Sequence, residues 1–241
     1  MSFNIEEVEL EGDLLTLSTL KPGTRGKVTR IVAQGGKSMF TWGLCSDIYH
    51  DIIECLTAAL EARDPYSKEH SSRVADMAYD LGRRLGLRGK ELEKVHIAAH
   101  LHDIGKIGVP DQILQKPGKL LPHEWAAIRR HPEIGYNILS RSRRLEDIAL
   151  LVLYHHERWD GKGYPKGLKG EAIPLGARII GLCDAIDAMT SDRPYRPALS
   201  WRQCWEEVEA NKALQFDAVV VEAAEALWPV WEKRWSSRKG A

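Results

Sequence analysis

The spacing of apolar residues along the chain changes near residue 46. Upstream, Leu14, Leu17, Val28, Ile31 and Val32 are interrupted by Pro22, Gly23 and Gly26, a pattern of two short strands joined by a turn, and Gly35 with Gly36 marks a second turn. Residues 1–46 are therefore expected to form a small β-containing extension, too short to bury a core of its own. From about Ser46 the period becomes helical: Ile52, Ile53, Leu56, Ala59 and Leu60 follow steps of three and four, as do Val74, Met77, Leu81 and Leu85 beyond His70. Leu92, Val95, Ile97, Ala98 and Leu101 carry the pattern to His102. Gly105, Gly108 and Pro110 then stop it, so His102 and Asp103 fall at a helix end.

Further helices are predicted at about 122–129, 133–140, 145–157, 175–189, 199–211 and 217–232. Between Asp160 and Pro174, the glycines at 161, 163, 167 and 170 and the prolines at 165 and 174 mark a loop of specific shape. The pattern predicts a mainly α protein, with a helical domain over residues 47–235 and a frayed tail over 236–241.

At 241 residues the chain has room for one catalytic domain and a small appendage. Its 34 Lys and Arg balance 34 Asp and Glu, so no bulk attraction to a DNA or RNA polymer or to an anionic membrane is expected. A local basic pocket for a small phosphate ligand would not show in that sum. The most apolar short stretch, Ile148 to Tyr154, is far too short to cross a bilayer, so no membrane insertion is expected. Cys45, Cys55, Cys183 and Cys204 form no CxxC pair and read as reduced thiols. The opening MSFNIEEVELEG lacks the basic and apolar regions of a signal peptide, and a cytoplasmic location is expected.

The chemistry lies in histidines that keep company with acids or with each other. His102 precedes Asp103, His131 precedes Pro132, His155 and His156 precede Glu157, His70 opens a helix, and Asp184 sits inside the apolar IIGLCDAIDAM. A buried, unpaired carboxylate costs several kcal/mol, on the order of 3–5. A metal ion offsets that cost by coordination. Taken singly, Asp184 also reads as a partner of Arg178 or Arg193, and His155 with His156 as one core and one exposed histidine. His96, His100 and His123 read as helix-surface or supporting groups. Neighbours on a regular helix point about 100° apart, so His155 and His156 share a ligand only at a helix end, which the turn from Trp159 to Tyr164 supplies.

HDIGK at 102–106, HHERWDGKGYPKGLKGEAIPLGARI at 155–179 and DAIDAMTSDRPYR at 184–196 resemble the HD-GYP domain of the HD phosphohydrolase superfamily. EARDPYSKEHSSRV at 61–74 and HPEIG at 131–135 extend the resemblance over about 50–218. It implies an HD-domain helical bundle and hydrolysis of cyclic di-GMP to pGpG, with or without a second cut to GMP. It also implies two divalent ions, iron or manganese. His70, His102, Asp103 and Asp184 resemble the ligands of one ion, and His131, His155 and His156 those of the other, with Asp103 bridging. A third ion, which in some members uses a glutamate four residues before the first histidine, is not expected, because Tyr66 stands there.

By the same resemblance Lys106 contacts the scissile phosphate or the nucleophilic water, with Asp103 at the centre of the catalysis. Arg193 and Arg196 bind phosphate or guanine, and Tyr164 of the GYP motif lines the substrate pocket. Glu157, Asp160 and Asp187 are expected to orient imidazoles or basic groups. The rival readings are a phosphohydrolase acting on another cyclic dinucleotide or nucleotide, and a catalytically weak domain that senses cyclic di-GMP or binds a partner protein. Trp228, Trp231 and Trp235 are expected mostly in the core, with a homodimer surface or a regulatory protein partner as the alternative.

Overall fold

A computed structural model of the chain describes residues 8–11, 14–17, 31–32, 42–63, 69–192 and 197–236. It divides into two compact units, Met1–Ile52 and Ile53–Ala241. In the first, strands β1 (Val8–Glu11), β2 (Leu14–Leu17) and β3 (Ile31–Val32) pair antiparallel in the order β1-β2-β3, with Val8 opposite Leu17 and Leu14 opposite Val32. Helix α1 (Trp42–Glu61) begins upstream of the expected change of period and ends in the second unit.

The second unit is mainly helical, in the order α2 (His70–Arg84), α3 (Gly89–Leu101), α4 (Asp111–Leu114), α5 (Pro122–Ile128), α6 (His131–Leu139), α7 (Glu146–Tyr154), α8 (Leu175–Thr190), α9 (Trp201–Ala210), α10 (Ala218–Glu225) and α11 (Trp228–Ser236). Along α2 the steps of three and four bury Val74, Met77, Ala78 and Leu81 on one face. Gly86, with φ of 91°, turns the chain out of that helix. Helix α8 is apolar over most of its girth: Ala177, Ile179, Ile180, Leu182, Cys183 and Ile186 are all buried. A helix of that kind belongs at the centre. Helices α2, α3 and α7 pack against it, and α6 packs on α7. Each fully buried aliphatic side chain there contributes about 1.5–3 kcal/mol.

At three places the helix limits depart from the sequence pattern in a way that bears on the site or the core. Helix α6 starts at His131, because Pro132 suits a first turn, where no N–H is needed. Helix α7 ends at Tyr154, which leaves both following histidines beyond the last regular turn. The stretch 217–232 breaks into α10 and α11, since Pro229 cannot donate to a continuing helix. Trp228, Trp231 and Trp235 are buried. Trp228 packs against Trp201 and Trp205, and Trp231 Nε1 donates to Asp80 across 3.2 Å. These rings belong to the core.

Candidate metal centre

Helix ends deliver most of the site. His70 opens α2, His102 caps the C-terminus of α3, Asp103 leads into the 3-10 turn Ile104–Gly108, His131 opens α6, and His155 caps α7 with His156 next in the chain; Asp184 projects from α8. Three of the histidines are held alike. Nδ1 of His102, His131 and His155 donates to the carbonyl oxygen three residues earlier, of Ala99 at 2.6 Å, Ile128 at 2.8 Å and Val152 at 2.6 Å. A carbonyl can only accept, so Nδ1 carries the proton and Nε2 turns its lone pair inward. The Nδ1 of His70 is held by a side chain instead: it donates to Asp187 Oδ2 at 2.7 Å, and Asp187 is held in turn by Arg73.

Two groups of inward atoms result. Ligand atoms of His70, His102 and Asp184 lie within 4.8 Å of one another, and so do those of His131, His155 and His156. Asp103 stands between the groups. Its Oδ2 is 3.8 Å from His70 Nε2 and 3.5 Å from His102 Nε2, while its Oδ1 is 3.4 Å from His131 Nε2. Asp184 Oδ1 lies 3.3 Å from His70 Nε2. Arg178, an alternative partner for Asp184, instead pairs with Asp217.

The electrostatics favour a bound cation. Burial holds the imidazole pKa of His131 down, that of His155 well down and that of His156 at about 3, and neighbouring histidines reinforce the last two. His131 and His155 are thus neutral, yet their Nε2 atoms meet at 3.3 Å. Lone pairs facing each other at that distance repel unless a cation lies between them. For His70, burial opposes the charged form, but hydrogen bonds to Asp184 and Asp187 prevail and push the pKa up to about 9. Burial likewise opposes ionisation of Asp103 and Asp184. Lys106 and the surrounding imidazoles keep Asp103 well below the usual carboxylate range, and the His70 hydrogen bond with the nearby imidazoles does the same for Asp184. Nitrogen and carboxylate donors without thiolates suit iron, manganese or zinc.

Close backbone approaches set this geometry. A Cβ on Gly105 would come within 1.9 Å of the His131 carbonyl oxygen, so only glycine lets the turn after Asp103 lie against the start of α6. A Cβ on Gly163 would likewise come within 2.4 Å of the Arg158 nitrogen and 2.6 Å of the His156 carbonyl oxygen. The loop thereby doubles back, Tyr164 N donates to the His156 carbonyl at 3.2 Å, and the Tyr164 ring stacks on His156 with centroids 4.8 Å apart. Glu157 holds the loop itself, accepting from the backbone N–H groups of Lys166 and Leu168, and Asp160 pairs with Arg158. Of the three expected supporting carboxylates, only Asp187 bonds to an imidazole of the site.

A cavity of about 290 Å³ opens on the centre, lined by His70, Asp103, Lys106, Trp125, Ile128, His131, His156, Tyr164, Asp184 and Ala188. Lys106 returns to the site through the 3-10 turn, its Nζ 2.6 Å from Asp103 Oδ2. His123 is exposed on α5, and His96 packs edge to face on His100; none of the three lines this cavity. Tyr66, Arg193 and Arg196 lie outside the described residues. Sequence reasoning missed Arg73, Trp125 and Arg129. Arg73 had a signal, its place one helical turn after His70, whereas the other two had none beyond residue type.

The HD domain family matches residues 54–220. The chain is 44% identical over 175 residues to the cyclic di-GMP phosphodiesterase response regulator RpfG of Xanthomonas campestris pv. campestris, covering 72% of this chain and 46% of that protein. It is 39% identical over 180 residues to the 3′3′-cGAMP-specific phosphodiesterase 2 of Vibrio cholerae, covering 74% of this chain and 34% of that one. It thus spans half or less of the length of these relatives. Its fold is also that of a crystal structure of the V. cholerae cyclic GMP-AMP-specific phosphodiesterase V-cGAP3, with a TM-score of 0.57 and 23% identity, over 79% of this chain and 50% of that one.

Proposed function

We propose that this chain, which belongs to the HD-GYP-type branch of the HD-domain phosphohydrolase superfamily, is a metal-dependent phosphodiesterase that cuts a 3′-5′ phosphodiester of cyclic di-GMP, giving pGpG. The observation that carries this reading is Asp103, whose two carboxylate oxygens face different histidine groups. His70, His102, Asp103 and Asp184 would hold one divalent ion, and His131, His155 and His156, together with Asp103, would hold the other. Iron or manganese fits this donor set, and Tyr66 in place of a further carboxylate leaves no third ion. When bound, such a pair supplies a nucleophile of lowered pKa and a polarised phosphoryl oxygen.

The remaining steps fall to the chain. Lys106 Nζ stabilises negative charge as it develops on the phosphoryl group, in a site where burial strengthens each charge interaction. Tyr164, whose hydroxyl is held protonated by burial and by the charges of Asp184 and Asp103, donates a hydrogen bond to substrate and walls off solvent beside His156. Arg193 and Arg196 bind phosphate and guanine, tasks suited to planar guanidinium donors. Asp187, clamped by Arg73, keeps His70 in its ligating tautomer. Residues 1–46 are a β-containing extension, and the buried thiol of Cys183 fits a reducing cytoplasm.

The mixed guanine–adenine dinucleotide is the second reading, favoured by the 39% identity to the Vibrio enzyme named for it. Incubating the metal-reconstituted protein with cyclic di-GMP, 3′3′-cGAMP and cyclic di-AMP, with products resolved by chromatography, separates the two. Fastest appearance of pGpG supports the first reading, and faster loss of cGAMP supports the second. Tight binding without any product would contradict both and make the domain a sensor.

A further inference from the structure

We infer that Trp125 on α5 and Arg129, which caps the C-terminus of that helix one turn on, form a recognition subsite for the half of the dinucleotide that is not being cut: Trp125 stacks on a purine base, and Arg129 pairs with the second phosphate. The inference rests on the cyclic-dinucleotide reading above and names residues that the HD-GYP motifs do not include. Trp125 is 49% exposed while lining the cavity over the metal centre. By contrast, Trp228, Trp231 and Trp235 are at most 8% exposed. A large ring left open beside the cavity contributes little to folding and offers a flat apolar face to a ligand.

Arg129 is equally unlike the other arginines near the site. Arg73, Arg158 and Arg178 are each tied to a carboxylate. No carboxylate among the described residues pairs with Arg129; its guanidinium lies 5.3 Å from the Tyr164 ring centroid and 6.0 Å from that of Trp125. Aromatic faces hold a guanidinium by its plane and leave the N–H donors at its edge available, which is the geometry a phosphate requires. The helix that presents both residues is itself anchored: Glu124 accepts from the Leu121 backbone N–H at 2.7 Å and pairs with Lys116 at 2.7 Å. Size points the same way. The cavity of about 290 Å³ is at the low end for small-molecule sites, roughly 300–1,000 Å³. A cyclic dinucleotide with one phosphate at the centre must extend over the rim, where Trp125 stands with Arg129 beside it.

The test compares Trp125→Ala, Trp125→Phe, Arg129→Ala and wild type, all metal-loaded, on cyclic di-GMP, on 3′3′-cGAMP and on bis(p-nitrophenyl) phosphate, a diester with no purine and no second phosphate. The ratio of dinucleotide to bis(p-nitrophenyl) phosphate kcat/KM should fall about tenfold or more in Trp125→Ala and in Arg129→Ala, chiefly through KM, and Trp125→Phe should recover most of it, the scale of one base-aromatic stack. A ratio within twofold of wild type in both alanine variants, or an equal loss on all substrates, overturns the subsite while leaving the dinucleotide reading intact. Wild type that neither binds nor cuts a cyclic dinucleotide, while still hydrolysing the synthetic diester, overturns both.

Discussion

His70 and Asp187 are joined by a 2.7 Å hydrogen bond from Nδ1 to Oδ2, which ties the first residue of α2 to the last turns of α8. Burial disfavours a charged Asp187, but His70 and Arg73 keep its pKa below the usual range, so the carboxylate is an ionised acceptor. Asp187→Asn preserves the size and removes that charge. Metal affinity should fall about 10- to 100-fold, read by chelator competition on the folded protein. An affinity within twofold of wild type would show that His70 needs no such partner.

Lys106 pairs with Asp103, and it also lines the cavity. Lys106→Ala should therefore retain metal while kcat drops about 10²- to 10³-fold, the scale for removing one stabilising donor. Metal analysis beside steady-state kinetics checks both parts; normal kcat with normal metal would remove Lys106 from the mechanism.

Gly105→Ala would place a Cβ 1.9 Å from the His131 carbonyl oxygen and 2.5 Å from the Gly135 nitrogen. Neither is the tip of a flexible side chain, so the turn must withdraw from α6. A stability loss of about 1–3 kcal/mol and partial loss of bound metal should follow, measured by denaturant unfolding and elemental analysis. An unchanged midpoint and metal content would mean that the close approach is not required.

Trp231 is fully buried and donates to Asp80. Trp231→Ala should cost about 3–5 kcal/mol with little change in KM for the surviving folded fraction. A loss below about 1 kcal/mol in urea unfolding would place α11 outside the cooperative core.

The histidines were legible because each interrupts or ends an apolar period, and their neighbours in sequence, Asp103, His156 and Gly163, share the same turns. Helix existence was equally legible in α2, α3 and α8, where apolar spacing is regular. The ends were less so: Pro132 and Pro229 decide where α6 and α11 begin, and an apolar run such as Ile148 to Tyr154 does not reveal that α7 stops before His155. The Arg73–Asp187 pair joins positions 114 residues apart, and the Trp125–Arg129–Tyr164 arrangement depends on how α5 meets the loop. Such relationships arise from tertiary packing, which local periodicity does not encode.

The central claim is a two-ion phosphodiesterase bridged by Asp103. Its most direct measurement is elemental analysis of anaerobically purified, iron- or manganese-reconstituted protein together with its rate of pGpG formation, for wild type, Asp103→Ala and the double variant His155→Ala/His156→Ala. The account predicts about two ions per chain and rapid product in wild type, about one ion and little product in the double variant, and loss of both metal and activity in Asp103→Ala. Wild type with a single ion and full activity, or Asp103→Ala with unchanged metal and rate, would contradict it.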